Sequence, residues 1–403
     1  MATLLPFAGI RPDPAVAAEF ICPPYDVPTD AEARDLVARQ PKSFLRVTRP
    51  ETVMGPDADA HSPAAYQTAR EVYEALLAEG TLRRDAKACY YVYRLTWRGE
   101  SQTGLVALAS VSEYHGGVFK RHELTRPDKE NDRVAHIEAL RCQTGLVFSG
   151  FRATPAFSAL LRAHSAGVPV VDVLAEDGVR HELWVVDSMD AEGEFAAAAH
   201  ELDALYICDG HHRAAAASRV AAGESIAVGI LTVAFPHDQL RILPYHRVVT
   251  DLNGHTPEAV RAAIHAATDA VTGVPGAYPA APGTFSYYLG GGEWTHRRFK
   301  SADRTTGSAV DRLDAALLQR LVLEPVLGID DIRKSPRIRF VGGIRGTGEL
   351  ERQVDAGEAA IAFAHHPTSM EELFAVADAG LLMPPKSTWF EPKLRDGVVM
   401  HAF

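Results

Sequence analysis

Apolar positions recur along the chain in two periods, and the switches between them outline the expected elements. Ala65, Ala69, Val72, Tyr73 and Leu76 follow spacings of three and four and predict an amphipathic helix over Ala64 to Leu77, ended by Gly80. Two β-rich runs, Cys89 to Trp97 and Gly104 to Tyr114, flank Arg98-Gly99-Glu100-Ser101 and predict an antiparallel hairpin. Val118-Phe119 reads as a short strand leading into a polar stretch, after which Val134 to Leu140 reads as helix. Alternation follows: strand Gly145 to Phe151, helix Pro155 to His164, strands around Val170 and Leu183, helix Ala191 to His200, strand Leu205 to Cys208, helix His212 to Ala222 and strand Ala227 to Phe235. Such alternation predicts a mixed α/β, or α+β, layer architecture. The remainder alternates again through helix Asp311 to Leu323, strands Ile338 to Val341 and Ala359 to Phe363, and helix Ser369 to Ala377.

At about 150 residues per domain, 403 residues suggest two or three domains. The character shifts beyond Thr250, and Thr272 to Gly283 is rich in Gly, Pro and Ala, so we expect one domain over 1–250 and a C-terminal α+β domain over 251–403 whose last segment returns to the site. With 47% hydrophobic and 23% charged residues the chain can bury a sizeable core. Its formal charge of −11 argues against a nucleic-acid partner or an anionic membrane surface. The best apolar run, Ile226 to Phe235, is half the length of a membrane span, and Pro6 interrupts any signal sequence. The four cysteines, Cys22, Cys89, Cys142 and Cys208, form no CxxC pair, so a reduced, cytoplasmic location is the expectation.

The densest chemical signal is Leu205-Tyr206-Ile207-Cys208-Asp209-Gly210-His211-His212-Arg213, an apolar strand that delivers polar residues to the start of an alanine-rich helix. A helix N-terminus presents unpaired N–H groups and about half a positive charge, which suits an anion. Gly210 permits close backbone approach, Arg213 can bind phosphate through two nitrogens, and Asp209 can hold a divalent cation or accept a proton. A second cluster, His122 to Arg133, interleaves Arg126, Lys129 and Arg133 with acidic residues, and its Glu123 follows a strand closely enough to be held rigidly as a general base. Two tempting motifs fail. His122-Glu123-Leu124-Thr125-Arg126 has arginine where HExxH needs its second histidine, so a zinc pair one helical turn apart cannot form. In Gly380 to Thr388 the decisive glycine of a P-loop is Pro385, which has no N–H to offer a phosphate. Lys386 in this stiff Pro384-Pro385 segment still carries a mobile charge that can reach a phosphate. His365-His366 reads as structural or surface.

Pro23-Pro24-Tyr25-Asp26-Val27, the His122 to Arg133 cluster, Asp209 to Arg213 and Met383 to Lys393 together resemble the bacterial and archaeal domain-of-unknown-function 1015 family over nearly the whole chain. The Asp-Gly-His-His-Arg element with an upstream strand and His-Glu-x-Thr also resembles the phosphate-binding core of the ParB and sulfiredoxin superfamily, most closely its free serine kinases. That resemblance implies a ParB/sulfiredoxin-like core with inserted elements, Glu123 as base on a serine hydroxyl, Asp209 as an Mg2+-associated or phosphoryl-transfer carboxylate, and Gly210, His211, His212 and Arg213 as the phosphate cradle. His211 stands where sulfiredoxin has its reactive cysteine, which argues against a redox role. The 86 positions between Glu123 and Asp209 exceed the spacing expected in the compact kinases, so serine-binding residues do not transfer. The expected activity is Mg2+-dependent transfer of phosphate from a nucleotide, ATP or ADP, to the hydroxyl of a small metabolite, serine-like first. A nucleotide-responsive binding or regulatory protein without turnover is the alternative.

Overall fold

The computed structural model describes residues 1–222 and 229–403, and it shows a mixed α+β protein. Its described residues fall into two compact units, Met1–Leu240 with Pro392–Phe403, and Arg241–Glu391. No helix among them is long and apolar enough to cross a membrane.

The large sheet of the first unit is made of β1 (Leu4–Leu5), β2 (Tyr90–Trp97), β3 (Glu100–Ala109), β4 (Phe119–Lys120), β5 (Val147–Phe151), β6 (Val171–Leu174), β7 (Arg180–Val186), β8 (Leu205–Asp209) and β9 (Ile230–Pro236). They form one sheet in the order β4-β8-β5-β9-β3-β2-β7-β6, with β1 beside β3. The pairs β4/β8 and β5/β9 are parallel and the others antiparallel. Tyr90, Leu105, Phe151, Phe157, Phe195 and Ile207 are buried in its core, where removal of their apolar surface from water stabilises the layer packing.

Local chemistry explains most elements. The hairpin turn is Arg98-Gly99, both at positive φ (52° and 82°), the geometry that matches strand twist in a two-residue loop. Helix α1 (Pro63–Ala78) starts at Ser62, whose side chain accepts the Ala65 N–H, and buries Ala65, Ala69, Tyr73 and Leu76. The expectation of strand up to Tyr114 is corrected: the strand stops at Ala109, and Val111–Gly116 is a helix capped by Ser110, which accepts the Glu113 N–H, and closed by Gly117 at φ 78°. There the cap outweighs the β-rich composition. The polar stretch before Val134 is also corrected, because helix α2 (Pro127–Leu140) already begins at Pro127 with Asp128 and Glu130 in its first turn. The expected start of β9 at Ala227 lies outside the described residues.

The second unit is built on β10 (Tyr245–Val249), β11 (Thr268–Ala270), β12 (Thr284–Tyr288), β13 (Trp294–Phe299), β14 (Ile338–Gly342) and β15 (Ile361–His365). These six strands pair antiparallel in the order β11-β13-β12-β15-β10-β14 over a core that includes Val260, Ile264, Phe285, Leu318 and Phe363. The Gly/Pro/Ala-rich segment 272–283 connects β11 to β12.

Candidate functional site

Because β4 runs parallel to β8, with Phe119 opposite Leu205 and Lys120 opposite Tyr206, both chains leave the sheet at the same edge. His122 and Glu123 therefore emerge beside Asp209, Gly210 and His211. Strand β5 is antiparallel to β8, so its start, at Gly145 and Leu146, comes to that edge as well. The β8 register shifts between Ile207 and Asp209, a bulge that re-aims the chain just before the turn.

Gly210 has φ +89°, a conformation that a side chain strains. A Cβ there would lie 3.0 Å from Arg213 Nε and 3.2 Å from its Cζ, so the Arg213 side chain folds back over its own turn. Arg213 also donates to the Leu146 carbonyl. In the helix that follows, α3 (His211–Ala222), the Ala214 N–H bonds the Gly210 carbonyl at 3.0 Å, so the amides of His211 to Arg213 precede the helix's own hydrogen-bond ladder. Amides, Gly210 and guanidinium converge on one small volume suited to an anion.

Asp209 accepts the Gly210 N–H at 2.8 Å through Oδ1 and pairs with Lys393 Nζ at 2.8 Å through Oδ2. Burial opposes its charge, but Lys393 and Arg213 outweigh burial and hold the carboxyl well below the usual range. Burial likewise disfavours the charge on Arg213, and Asp26, Asp209 and Asp396 reverse that effect, keeping the guanidinium cationic. His211 and His122 are 7% and 2% exposed, with rings perpendicular and centroids 4.6 Å apart. Burial drives both toward the neutral form, His122 to about 4 and His211 well below its ordinary value. His212 Nε2 accepts the Arg126 N–H at 2.9 Å, which ties the second histidine to the approach of α2.

The structure brings Glu123, Asp209, Gly210, His211, His212 and Arg213 to one edge and spreads the other expected residues. Arg126 is exposed and pairs with Asp128 at 2.7 Å, and Lys129 is exposed on the first turn of α2. Arg133 is buried, pairs with Asp132 at 2.6 Å and lies 3.9 Å over the Tyr25 ring. Lys386 belongs to the second unit, its Nζ 5.4 Å from the centroid of Tyr245.

Sequence reasoning did not single out Lys393, Asp396, Gly145 or Tyr25 as site residues. Beside the turn lies a cavity of about 360 Å3, open solvent included, lined by Tyr25, Arg133, Gly145, Arg213 and Asp396 among others. Cys22 and Asp396 exchange backbone hydrogen bonds of 3.1 and 3.0 Å, and Asp396 Oδ2 accepts the Tyr25 N–H at 3.1 Å, so the Pro-rich loop is fastened at this cavity. A Cβ on Gly145 would meet Asp396 Oδ1 at 3.0 Å and Arg213 Cδ at 3.2 Å, which explains glycine there.

Burial pushes the Asp396 carboxyl up to about 6, against Arg213 and with Asp26. A carboxyl raised in the folded state binds more protons there than in the unfolded chain, so its contribution to stability falls as pH rises from about 4 to 6. Buried His122 and His136, both lowered to about 4, have the opposite sign over the same range. The wild-type minus Asp396→Asn difference in unfolding free energy isolates the carboxyl, and it is expected to fall between about pH 4 and 6 in urea melts. A difference independent of pH contradicts the burial of a protonated Asp396.

This edge is a strand–turn–helix arrangement in a mixed α+β protein, with amides and a guanidinium disposed as an anion would need. The family model described as "Protein of unknown function (DUF1015)" matches residues 4–316, and the chain belongs to that family. No curated protein matches. Solved structures with similarity include SbnI with C-terminal truncation from Staphylococcus aureus, at 14% identity over 72% of this chain and 85% of that one with a TM-score of 0.38. A free serine kinase in complex with AMP matches at 12% identity over 71% and 86% with a TM-score of 0.34. A conserved hypothetical protein from Pyrococcus furiosus matches at 12% identity over 72% and 93% with a TM-score of 0.35. Likenesses this distant carry no argument about the chain.

Proposed function

We propose that the protein is an Mg2+-dependent phosphotransferase that moves a phosphoryl group from a nucleotide, ATP or ADP, to the hydroxyl of a serine-like metabolite, on a ParB/sulfiredoxin-like core. The observation that carries this reading is the convergence at one sheet edge of the Gly210 turn, the folded-back Arg213 and the Glu123 carboxylate beside His211. Phosphoryl transfer asks mostly for positioning and charge neutralisation, and amides, guanidinium and a helix N-terminus provide both. In the step, the acceptor oxygen attacks the terminal phosphorus, the bond from phosphorus to the nucleotide's bridging oxygen breaks, and Glu123 takes the hydroxyl proton.

Arg213 and the amides of His211 to Arg213 hold the transferred phosphate. Arg133, at the cavity wall, supplies a second cation; Arg126 and Lys129, exposed on α2, contribute attraction at longer range. The residues fit Mg2+ to the extent of one carboxylate: Asp209 keeps lone pairs beyond its two hydrogen bonds, and Mg2+ ordinarily takes one or two carboxylates along with substrate phosphates. Bound there, the ion would neutralise phosphate oxygens.

The test follows nucleotide consumption by the full chain with Mg2+, with and without serine. Consumption that requires the hydroxyl acceptor, with phosphoserine as product, supports the reading. Tight nucleotide binding with no turnover on any hydroxyl acceptor would replace it with a nucleotide-responsive binding protein.

A further inference from the structure

An HExxH pair needs two histidines on one helix, but the fold here supplies a second imidazole from elsewhere in the chain. One ring nitrogen of His122, one of His211 and a carboxylate oxygen of Glu123 lie within 4.8 Å of one another. They come from two elements that the parallel pairing of β4 and β8 fixes side by side. Donors around a single ion bound at 2.0–2.2 Å stand about 3.3 Å apart, so small side-chain rotations close this set onto a metal.

Independent of that proximity, His122 is 2% exposed and its Nδ1 has no hydrogen-bond partner among the described residues. Among the described residues, only the His122 N–H stands against His211 Nε2, at 3.5 Å, the outer limit of a hydrogen bond. An imidazole nitrogen buried without a partner is costly, and a bound cation satisfies it.

We infer that His122, Glu123 and His211 form a three-ligand site for a first-row transition-metal cation of the Zn2+ class, distinct from the Mg2+ proposed at Asp209. Two nitrogens and one oxygen suit Zn2+ and its neighbours, whereas Mg2+ takes oxygen ligands. Three protein ligands also leave a position open to a water or a substrate oxygen, as in catalytic rather than structural zinc sites. With the ion in place one Glu123 oxygen is committed to it, and activation of an acceptor hydroxyl becomes the joint work of carboxylate and ion.

The experiment titrates the chelator-treated full chain with Zn2+ against a chromophoric chelator, and with Co2+ to read the visible spectrum of the bound ion, with neither nucleotide nor serine present. We expect one ion per chain, no displacement by millimolar Mg2+, and an intense Co2+ band typical of four- or five-coordination. Glu123→Gln and His211→Ala should each weaken binding at least about tenfold, while His61→Ala, whose ring pairs with Asp132 away from this cluster, should not. Glu123 is only partly buried and Gln matches its shape, so that variant decides the matter if a histidine variant fails to fold. Absence of stoichiometric Zn2+ binding, or affinity unchanged in folded Glu123→Gln, overturns the site. Because no substrate is present, failure here leaves the phosphotransferase reading standing, and failure of turnover leaves the metal site standing.

Discussion

Glu123→Gln is expected to lower turnover by about 10²- to 10⁴-fold, the usual contribution of a positioned general base, while nucleotide affinity stays within about twofold. The split follows from placement. Glu123 leaves the end of β4 on the side of His211, whereas the amides and guanidinium that would hold phosphate belong to the Gly210–Arg213 turn. A carboxylate acting on the acceptor hydroxyl affects the chemical step, and a phosphate cradle affects affinity. Steady-state turnover and nucleotide affinity, measured by calorimetry on the same preparation, check the prediction. Equal losses in both quantities would move Glu123 from the acceptor to the nucleotide.

Arg213→Ala is expected to weaken nucleotide binding at least about tenfold, since a charge-assisted hydrogen bond contributes roughly 1.5–3 kcal/mol. Arg213 also donates to the Leu146 carbonyl and balances Asp26, Asp209 and Asp396, so its loss carries a stability cost as well. Arg213→Lys separates the two effects. It retains a cation at the turn but not the planar two-nitrogen contact, so affinity should fall more than the melting temperature does. An affinity unchanged in folded Arg213→Ala contradicts the anion site.

Which parts of this site were legible depended on how local their causes are. The apolar run of β8, the Asp209-Gly210 break and the alanine-rich start of α3 lie within one continuous segment, so their order in sequence already displays the turn and its helix N-terminus. Glu123 was readable for a similar reason, standing three positions after a short strand. What escaped came from distant chain. Lys393 reaches Asp209 across 184 positions, and Asp396 is fastened to the Pro-rich loop through backbone bonds to Cys22, which no side-chain pattern encodes. His122 was weighed only against Arg126 within one helix, whereas its partner His211 arrives through strand pairing. The strand expected up to Tyr114 failed for a local reason: a single Ser110 cap and Gly117 end-stop redirected a β-rich segment into helix.

The position of a bound nucleotide tests the central claim most directly. In a crystal structure of the full chain soaked with ADP and Mg2+, we predict phosphate oxygens within about 2.7–3.2 Å of the amide nitrogens between Gly210 and Arg213 and of the Arg213 guanidinium. Nucleotide phosphates ordered at any other place on the chain, with this turn contacting none of them, would contradict the account.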